Sequence, residues 1–332
     1  MKPRLAIVLG DPAGIGPELV ARLLGDAANR ERADFLIIAD RSELEEGMRI
    51  AGQRFDYTLT DNPRSRDFTS GTPVLWDYRG GGEAPFERAV STANGGRYAL
   101  DTLQKAIELT VEGVTDAVCF APLNKHSMHM AGLAHPDETH WFAELLQPNG
   151  PFGELNTLDG LWTSRVTSHV PLKDVSGLIT EQKILGAIRL ASTTLAKAGI
   201  AEPRIAVCGL NPHNGDNGSF GREEIDVIGP AVEAAQSQGY PVIGMYPADT
   251  IFLRAKDVDA IVTMYHDQGQ IAMKLMGFSR GVTVHGGFPI PIATPAHGTA
   301  FDIYGEGKAN VGATQAAFNI LCAMAQSRRD AA

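Results

Sequence analysis

Short hydrophobic runs alternate along this chain with longer, helix-like stretches. Several runs are nearly continuous in Val, Ile and Ala, which is typical of parallel strands covered on both faces. The predicted strands are Leu5–Gly10, Phe35–Ala39, Val74–Asp77, Ala117–Ala121, Leu161–Ser168, Ile205–Leu210, Val242–Met245 and Ile261–Tyr265. The predicted helices are Pro17–Gly25, Gly96–Glu112, Thr139–Leu146, Glu181–Ala198, Arg222–Gln238 and Thr314–Gln326. This alternation predicts an α/β fold with a largely parallel sheet.

Length and composition narrow the class of protein. The chain has 332 residues, enough for about two domains, and its 44% hydrophobic and 20% charged residues exclude disorder as the main state. A formal net charge of −10 disfavours nucleic acid and anionic membranes as partners. The three cysteines lie in apolar stretches, and neither a membrane span nor a signal peptide is visible, so we expect a cytoplasmic protein with reduced thiols.

Three histidines occupy equivalent places in the pattern. His169, His213 and His266 each follow a predicted strand, and the carboxyl ends of parallel strands meet at the edge where ligands bind. Three imidazoles there can hold one divalent cation and leave positions open for a substrate. Imidazole suits zinc, and also cobalt, nickel, iron and manganese. The alternative is three unrelated loop histidines, and the residues alone leave both hypotheses open.

The segment GDPAGIGPE, residues 10–18, follows the first strand and opens a helix. The spacing of Gly10, Gly14 and Gly16 does not fit the dinucleotide fingerprint of Rossmann domains. Glycines still allow a ligand to approach the backbone closely, and a helix N-terminus favours an anion. Taken alone, the segment is slightly more typical of an ordinary tight strand-to-helix turn.

A second backbone-rich loop, HGTAFDIYGEGKAN, covers residues 297–310. Its Asp302 can accept hydrogen bonds from ribose hydroxyls, although a surface turn is an equal alternative. Lys125 lies just past a strand end and Lys274 in the helix after YHDQG. Each can pair with a phosphate or act as a base, or be a solvated lysine. His140, early in a helix, is by itself more typical of a helix-end partner.

Together these segments resemble the 4-hydroxythreonine-4-phosphate dehydrogenase family. GDPAGIGPE, APLNK, THW, SHVPL, GLNPHNGDNGSFGREE, MYHDQGQ and PAHGTAFDI follow in the family's order, from residue 4 to residue 325. The resemblance implies a two-domain fold like that of isopropylmalate and isocitrate dehydrogenases, not a Rossmann domain, and a homodimer with shared active sites. The implied domains are a cofactor-side domain, 1–125 plus 267–332, and a second domain, 126–266, with the metal histidines and dimer contacts.

The resemblance also implies roles for individual residues. The metal ligands would be His169, His213 and His266, the last supplied by the partner subunit. The matching substrate residues are His140 and Lys274. The cofactor residues would be Gly10, Asp11, Gly14, His297, Gly298, Asp302 and Asn310. Three candidates remain for the base that takes the substrate proton: Lys125, Asp249 and Asp267.

Three substrate positions depart from the biosynthetic members of the family. Thr283 stands where asparagine is usual, Ile292 where arginine is usual, and Trp141 where threonine is usual. Isoleucine cannot replace a guanidinium that pairs with a carboxylate or phosphate. These departures resemble the catabolic branch, which acts on D-threonate or D-erythronate 4-phosphate. The alternative substrate is 4-hydroxythreonine 4-phosphate, in pyridoxal phosphate biosynthesis.

The activity expected from this resemblance is oxidation of a small 4-phosphorylated hydroxy acid, with decarboxylation, by an enzyme that depends on NAD and a divalent metal. NADP is the alternative cofactor, and Co, Mn, Mg or Ni are alternatives to Zn. Two other classes use the same residues: a metal-dependent hydrolase, and a phosphate-binding module without chemistry. The HGTAFDI loop argues against the hydrolase, and the three histidines argue against the binding module.

Overall fold

A computed structural model describes residues 2–65, 68 and 71–330 of the chain. Its strands are β1 (Arg4–Val8), β2 (Asp34–Ala39), β3 (Thr58–Thr60), β4 (Val74–Asp77), β5 (Ala117–Phe120), β6 (Gly153–Leu158), β7 (Leu161–Arg165), β8 (Ile205–Cys208), β9 (Val242–Tyr246), β10 (Ala260–Thr263), β11 (Val282–Gly286) and β12 (Ile292–Pro295). All eight predicted strands are present, with ends shifted by a few residues, whereas β3, β6, β11 and β12 were not predicted.

The α-helices are α1 (Gly16–Gly25), α2 (Ala27–Arg32), α3 (Arg41–Ala51), α4 (Ala93–Val111), α5 (Lys125–Met130), α6 (Glu138–Leu146), α7 (Val175–Leu178), α8 (Glu181–Lys197), α9 (Gly229–Ser237), α10 (Ala248–Ile251), α11 (His266–Gly277) and α12 (Gly312–Asp330). A π-helical turn, Glu224–Ile228, leads into α9. Short 3₁₀ segments are Pro63–Ser65, Leu172–Asp174, Pro212–Gly218, Phe252–Asp257, Phe278–Arg280 and Phe301–Ile303. Among the described residues, no helix combines the length and apolar character needed to cross a membrane.

The chain divides into two compact units, and unit 1 contains residues up to Gln147 and from Phe288 onward. Its strands follow the order β3-β4-β2-β1-β5-β12, and all of its strand pairs are parallel. Alternate residues of β2 pack on opposite faces of this sheet. Leu36 joins the cluster that contains Leu103 of α4, whereas the Phe35 ring lies 5.6 Å from that of Phe318 in α12.

Unit 2 is the continuous segment Pro148–Gly287. Its strands follow the order β11-β6-β7-β10-β8-β9. Strand β6 is antiparallel to both of its neighbours, while β7, β10, β8 and β9 pair in parallel. Both units therefore have the mainly parallel α/β architecture that the hydrophobic pattern predicts.

The unit boundaries fall later in the chain than residues 125 and 266, where the resemblance placed them. Helices α5 and α6 belong to unit 1, because Phe142 of α6 lies in the core of that unit. Helix α11 belongs to unit 2, because its Met273 packs against Leu158 and Ile261. Strand β11 also belongs there, since it pairs with β6.

Candidate active site

In unit 1, the two loops expected to bind a cofactor lie against each other. The Gly10 backbone has φ +70°, and a Cβ there would lie 2.4 Å from the Pro122 carbonyl oxygen, so only glycine fits. A Cβ on Gly14 would lie 2.7 Å from the Thr299 carbonyl oxygen. That oxygen accepts a hydrogen bond from the Ile15 N–H at 3.0 Å. The structure thus brings segments 10–18 and 297–310 together.

Glu18, which the sequence analysis did not single out, joins the same two loops. Its buried carboxylate accepts hydrogen bonds from the Ala309 N–H at 3.0 Å and from Arg22 Nε at 2.9 Å. Arg22 also donates to the Gly307 carbonyl oxygen at 2.5 Å. The available signal was an acidic residue in the first turn of a helix that follows a glycine-rich loop.

The acidic and polar residues of these loops differ in exposure. Asp11 is buried, and its Oδ1 accepts a hydrogen bond from the Ala13 N–H at 2.8 Å. Burial raises the pKa of the Asp11 carboxyl. Gly298, Asp302 and Asn310 are exposed. The exposed Asp302 carboxylate can accept hydrogen bonds from the ribose hydroxyls of a dinucleotide.

Among these cofactor candidates, His297 and Asn310 make local contacts. His297 Nδ1 lies 3.0 Å from the carbonyl oxygen of Gly298. Asn310 Oδ1 accepts a hydrogen bond from the Gly312 N–H at 2.8 Å, and therefore satisfies a donor at the start of α12.

Lys125 and His140 lie at the starts of two neighbouring helices of unit 1. Lys125 begins α5, and its Nζ lies 3.7 Å from Oε2 of the largely buried Glu138. Asp137 caps α6 and accepts hydrogen bonds from the His140 backbone N–H at 2.9 Å and from its ring Nδ1 at 2.7 Å. Burial raises the pKa of Asp137, but these two bonds favour the carboxylate and the pKa is lowered overall. The His140 ring is half exposed.

Two of the expected substrate residues are packing residues in unit 1. Ile292 lies on β12 and is fully buried in the core. Trp141 is half-buried against the same core, with its ring 5.7 Å from that of Phe142. The structure therefore places Ile292 away from any exposed ligand surface, because its apolar side chain is enclosed by neighbouring side chains.

In unit 2, His169 and His266 form a pair with ring centroids 5.6 Å apart. His169 follows β7, and His266 begins α11. His266 Nδ1 lies 2.7 Å from Asp267 Oδ1. The pair borders a cavity of about 220 Å³, lined by Thr167, Ser168, His169, Val170, Leu172, Val175, Tyr265, His266 and Asp267.

The chemistry of this pair fits a divalent cation. Two imidazoles at such a separation can each place a nitrogen about 2 Å from one shared ion. Asp267 accepts a hydrogen bond from the Nδ1–H of His266, so the lone pair of Nε2 is left to bind a metal ion. A carboxylate on the other ring nitrogen is the usual contact that orients a metal-binding histidine. Across the described part of the chain, no three His, Cys, Asp or Glu side chains are close enough to hold an ion together. One chain therefore supplies two nitrogen ligands for a metal ion, one from His169 and one from His266.

His213 lies on a separate loop of unit 2, Pro212–Gly218, and is exposed. Residues 213–217 have φ between 43° and 77°, a left-handed conformation that is rare outside glycine. The buried Glu224 organises this loop. Its Oε1 accepts hydrogen bonds from the Leu210 and Asn211 N–H groups, both at 2.7 Å. Glu224 is a second residue that the sequence analysis missed, and only its place in the REE run following the loop pointed to it.

The remaining candidates of unit 2 are dispersed. Thr283 is buried on β11, and its hydroxyl accepts a hydrogen bond from Asn156 Nδ2 at 3.0 Å. Lys274 is exposed on α11, and Asp249 is exposed in α10, which contacts the Pro212–Gly218 loop. Asp267 is bonded to His266, so the three candidate bases have distinct surroundings.

Comparison of this chain with known proteins identifies its family. A relative from Pseudomonas aeruginosa named "Putative 4-hydroxythreonine-4-phosphate dehydrogenase 2" is 61% identical over 332 residues, covering 98% of each chain. A relative from Symbiobacterium thermophilum named "Putative D-threonate 4-phosphate dehydrogenase" is 34% identical over 321 residues, covering 96% of each. The crystal structure of 4-hydroxythreonine-4-phosphate dehydrogenase from Klebsiella pneumoniae matches with a TM-score of 0.83 and 32% identity, over 98% of this chain and 100% of that one.

These relatives confirm the expected α/β fold and the expected dehydrogenase class, that is, oxidoreductases acting on a CH–OH group. Residues 31–321 match the family described as "Pyridoxal phosphate biosynthetic protein PdxA", and the chain therefore belongs to the PdxA family.

Proposed function

We propose that this chain uses NAD and a divalent metal to oxidise a hydroxyl group of a small 4-phosphorylated hydroxy acid, and that the product then loses carbon dioxide. The observation that carries the proposal is the His169–His266 pair with Asp267 on His266 Nδ1. The resemblance implied that His266 comes from the partner subunit, whereas here it lies beside His169 in one chain. We infer that His213, from this chain or from a partner subunit, completes the metal site. Zinc suits imidazole donors best, with cobalt, manganese, magnesium and nickel as alternatives.

A bound divalent cation would lower the pKa of the substrate hydroxyl and stabilise the enolate left by decarboxylation. The hydroxyl proton passes to a base, and the hydride on the same carbon passes to the nicotinamide of NAD. Asp267 is committed to His266, so it orients that ring. Lys125, beside the Glu138 carboxylate, and the exposed Asp249 remain the candidates for the base.

The exposed Asp302 supports NAD as the cofactor. A carboxylate accepts hydrogen bonds from ribose hydroxyls but repels the 2′-phosphate of NADP. The close packing of Gly10 on Pro122 and of Gly14 on Thr299 brings the two loops together, and α1 begins there, where a helix N-terminus favours an anion. We therefore propose that segments 10–18 and 297–310 hold NAD and prefer it to NADP.

Several exposed apolar side chains of unit 2 support self-association. Leu253 is 85% exposed and Leu275 83% exposed, and Leu172 and Ile271 are also exposed. Ile271 and Leu275 lie four residues apart on α11 and share one face of that helix, and exposed apolar patches mark interaction surfaces, so we propose a homodimer that contacts through unit 2. We also propose a cytoplasmic location, since Cys119, Cys208 and Cys322 are free thiols, as is usual in a reducing compartment.

For the substrate, we propose D-threonate or D-erythronate 4-phosphate. Thr283 presents a hydroxyl already bonded to Asn156, so it does not offer the amide of the biosynthetic members. Ile292 lies in the core, so this residue does not bear on the choice of substrate. The second candidate, 4-hydroxythreonine 4-phosphate, is favoured by the name of the 61% identical relative.

The test is a side-by-side measurement of kcat/KM for the three substrates by NADH absorbance, with the same metal and NAD concentrations. We expect a higher value for the two hydroxy acids than for the amino acid. A preference for the amino acid contradicts the substrate proposal but not the proposed dehydrogenase activity. Release of phosphate without NADH contradicts the dehydrogenase and favours the hydrolase.

A further inference from the structure

A buried amide on β6 connects the two segments that carry the paired histidines. The Asn156 side chain is buried within unit 2 and contacts residues of β7, β11 and α11. Its Oδ1 accepts hydrogen bonds from Arg165 Nη1 at 2.8 Å and from Gln270 Nε2. Its Nδ2 donates to the Thr283 hydroxyl at 3.0 Å. One oxygen is thus the common acceptor for a β7 residue and an α11 residue.

The orientation of this amide follows from chemistry. A guanidinium can only donate hydrogen bonds, so the Asn156 atom facing Arg165 must be the oxygen. The nitrogen then faces Thr283, whose hydroxyl can accept. The three contacts are mutually consistent in only one orientation of the amide.

The first link leads to His169. Arg165 is nearly buried, forms an ion pair with Glu154 at 2.6 Å, and donates from Nε to Ser168 Oγ at 2.9 Å. Ser168 immediately precedes His169, which has a φ of 51°. A non-glycine residue keeps this conformation only where its surroundings impose it. The hydrogen bond on Ser168 is such a restraint, and Asn156 holds the guanidinium that makes it.

The second link leads to His266. Gln270 lies four residues after His266 in α11, and residues at this spacing share one face of a helix. Gln270 is therefore bonded to Asn156 from the histidine-bearing face of α11. Because Asn156 Oδ1 also binds Arg165, it connects the His169 side of the pair to the His266 side.

We propose that Asn156 is a positioning residue that sets the separation of the His169 and His266 rings. It touches neither ring and acts through Arg165 and Ser168 on one side and through Gln270 on the other. The importance of Asn156 for metal binding rests on the function proposed above. The effect of Asn156 on the separation of the two rings does not depend on that function. Asn156→Leu removes both links in a similar volume, and Asn156→Asp keeps an acceptor for both.

The experiment compares these two variants with the parent and with Thr163→Val. Thr163 is buried opposite Asn156 on β7, and its hydroxyl donates to the Asn156 backbone carbonyl oxygen at 3.4 Å, so this control changes the same part of the sheet without changing the Asn156 side-chain amide. Crystal structures of the metal-free proteins give the ring separation. Titration with zinc in competition with a chromophoric chelator gives the dissociation constant, and thermal unfolding of the metal-free proteins gives the stability.

We expect the Asn156→Leu ring separation to depart from the 5.6 Å of the parent by more than about 0.5 Å. Zinc affinity should fall about 10- to 100-fold, while Asn156→Asp and Thr163→Val stay close to the parent. An unchanged separation in Asn156→Leu overturns the proposal. If that variant fails to fold, the ring separation in Gln270→Leu, which cuts the α11 link alone, decides in the same way. A parent that binds no zinc contradicts the metal-dependent function, and the ring separation still decides the role of Asn156.

Discussion

Two buried glutamates hold loops that carry expected ligand residues. Glu18 accepts the Ala309 N–H, and Glu224 accepts the Leu210 and Asn211 N–H groups. A buried carboxylate is tolerated only when hydrogen bonds replace its hydration, and such charge-assisted bonds are stronger than neutral ones. Neither glutamate is expected to bind a ligand, yet each determines where ligand residues lie.

For Glu224→Gln we expect a loss of about 1.5–3 kcal/mol in the free energy of unfolding. The amide nitrogen of glutamine would face Asn211 Nδ2, which now donates to Glu224 Oε2 at 3.0 Å, and two donors repel. Denaturant unfolding of the metal-free protein measures the change. The matched control is Glu233→Gln, on an exposed glutamate of α9, and an equal loss in both variants would contradict a specific role for Glu224.

For Asp302→Ala we expect the KM for NAD to rise about tenfold to a hundredfold, because a charge-assisted hydrogen bond contributes about 1.5–3 kcal/mol. Steady-state kinetics with NAD as the varied substrate measure it. Glu306→Ala, which removes another carboxylate of the same loop, is the control. An unchanged KM in Asp302→Ala would mean that the ribose is bound elsewhere.

At the scale of elements, the start of α6 combines a helix cap with a histidine contact. Asp137 accepts two hydrogen bonds from His140 and has a lowered pKa. A carboxyl whose pKa is lower in the folded state stabilises the fold above its unfolded pKa of about 3.9. That contribution is lost as the pH falls through the folded-state pKa.

Asp137→Ala should therefore lower the free energy of unfolding by about 0.5–2 kcal/mol at pH 7, and the difference from the parent should shrink as the pH falls below about 4. Urea unfolding at several pH values measures it. Thr92→Ala removes a cap of α4 that cannot titrate, so its cost should not vary in this way. A pH-independent cost for Asp137→Ala would contradict the expected linkage.

The elements predicted from the sequence are those whose apolar residues form continuous runs, such as β1 and β8. Strand β6 was missed because its Glu154 and Asn156 face the polar contacts of Arg165, which no hydrophobic pattern records. The left-handed Pro212–Gly218 loop depends on Glu224, whose hydrogen bonds to the Leu210 and Asn211 N–H groups span 14 and 13 residues, a separation that no local pattern records. The histidines were correctly placed after strands, but the pairing of His169 with His266 depends on where α11 begins.

At the scale of the whole molecule, the exposed leucines of unit 2 contrast with its buried core. Leu275→Asp should shift the proposed dimer toward monomers, since a carboxylate in an apolar contact must lose its hydration. Sedimentation velocity over a range of protein concentrations measures the shift. Leu59→Asp places the same charge on an exposed leucine of unit 1 and should leave association unchanged. A monomeric parent, or an unchanged Leu275→Asp, would contradict the dimer contact.

The division of unit 1 into two stretches of chain has a consequence for synthesis on the ribosome. Unit 2 is translated without interruption and can fold as soon as Gly287 has left the exit tunnel, whereas β1 to β5 emerge first and must wait. Strand β12 pairs with β5, and Phe318 of α12 covers Phe35, so the earliest strands obtain their last partners only near the end of translation. Nascent domains ordinarily fold in order from the N-terminus, but here the face of β2 that Phe318 covers stays open until α12 has been made.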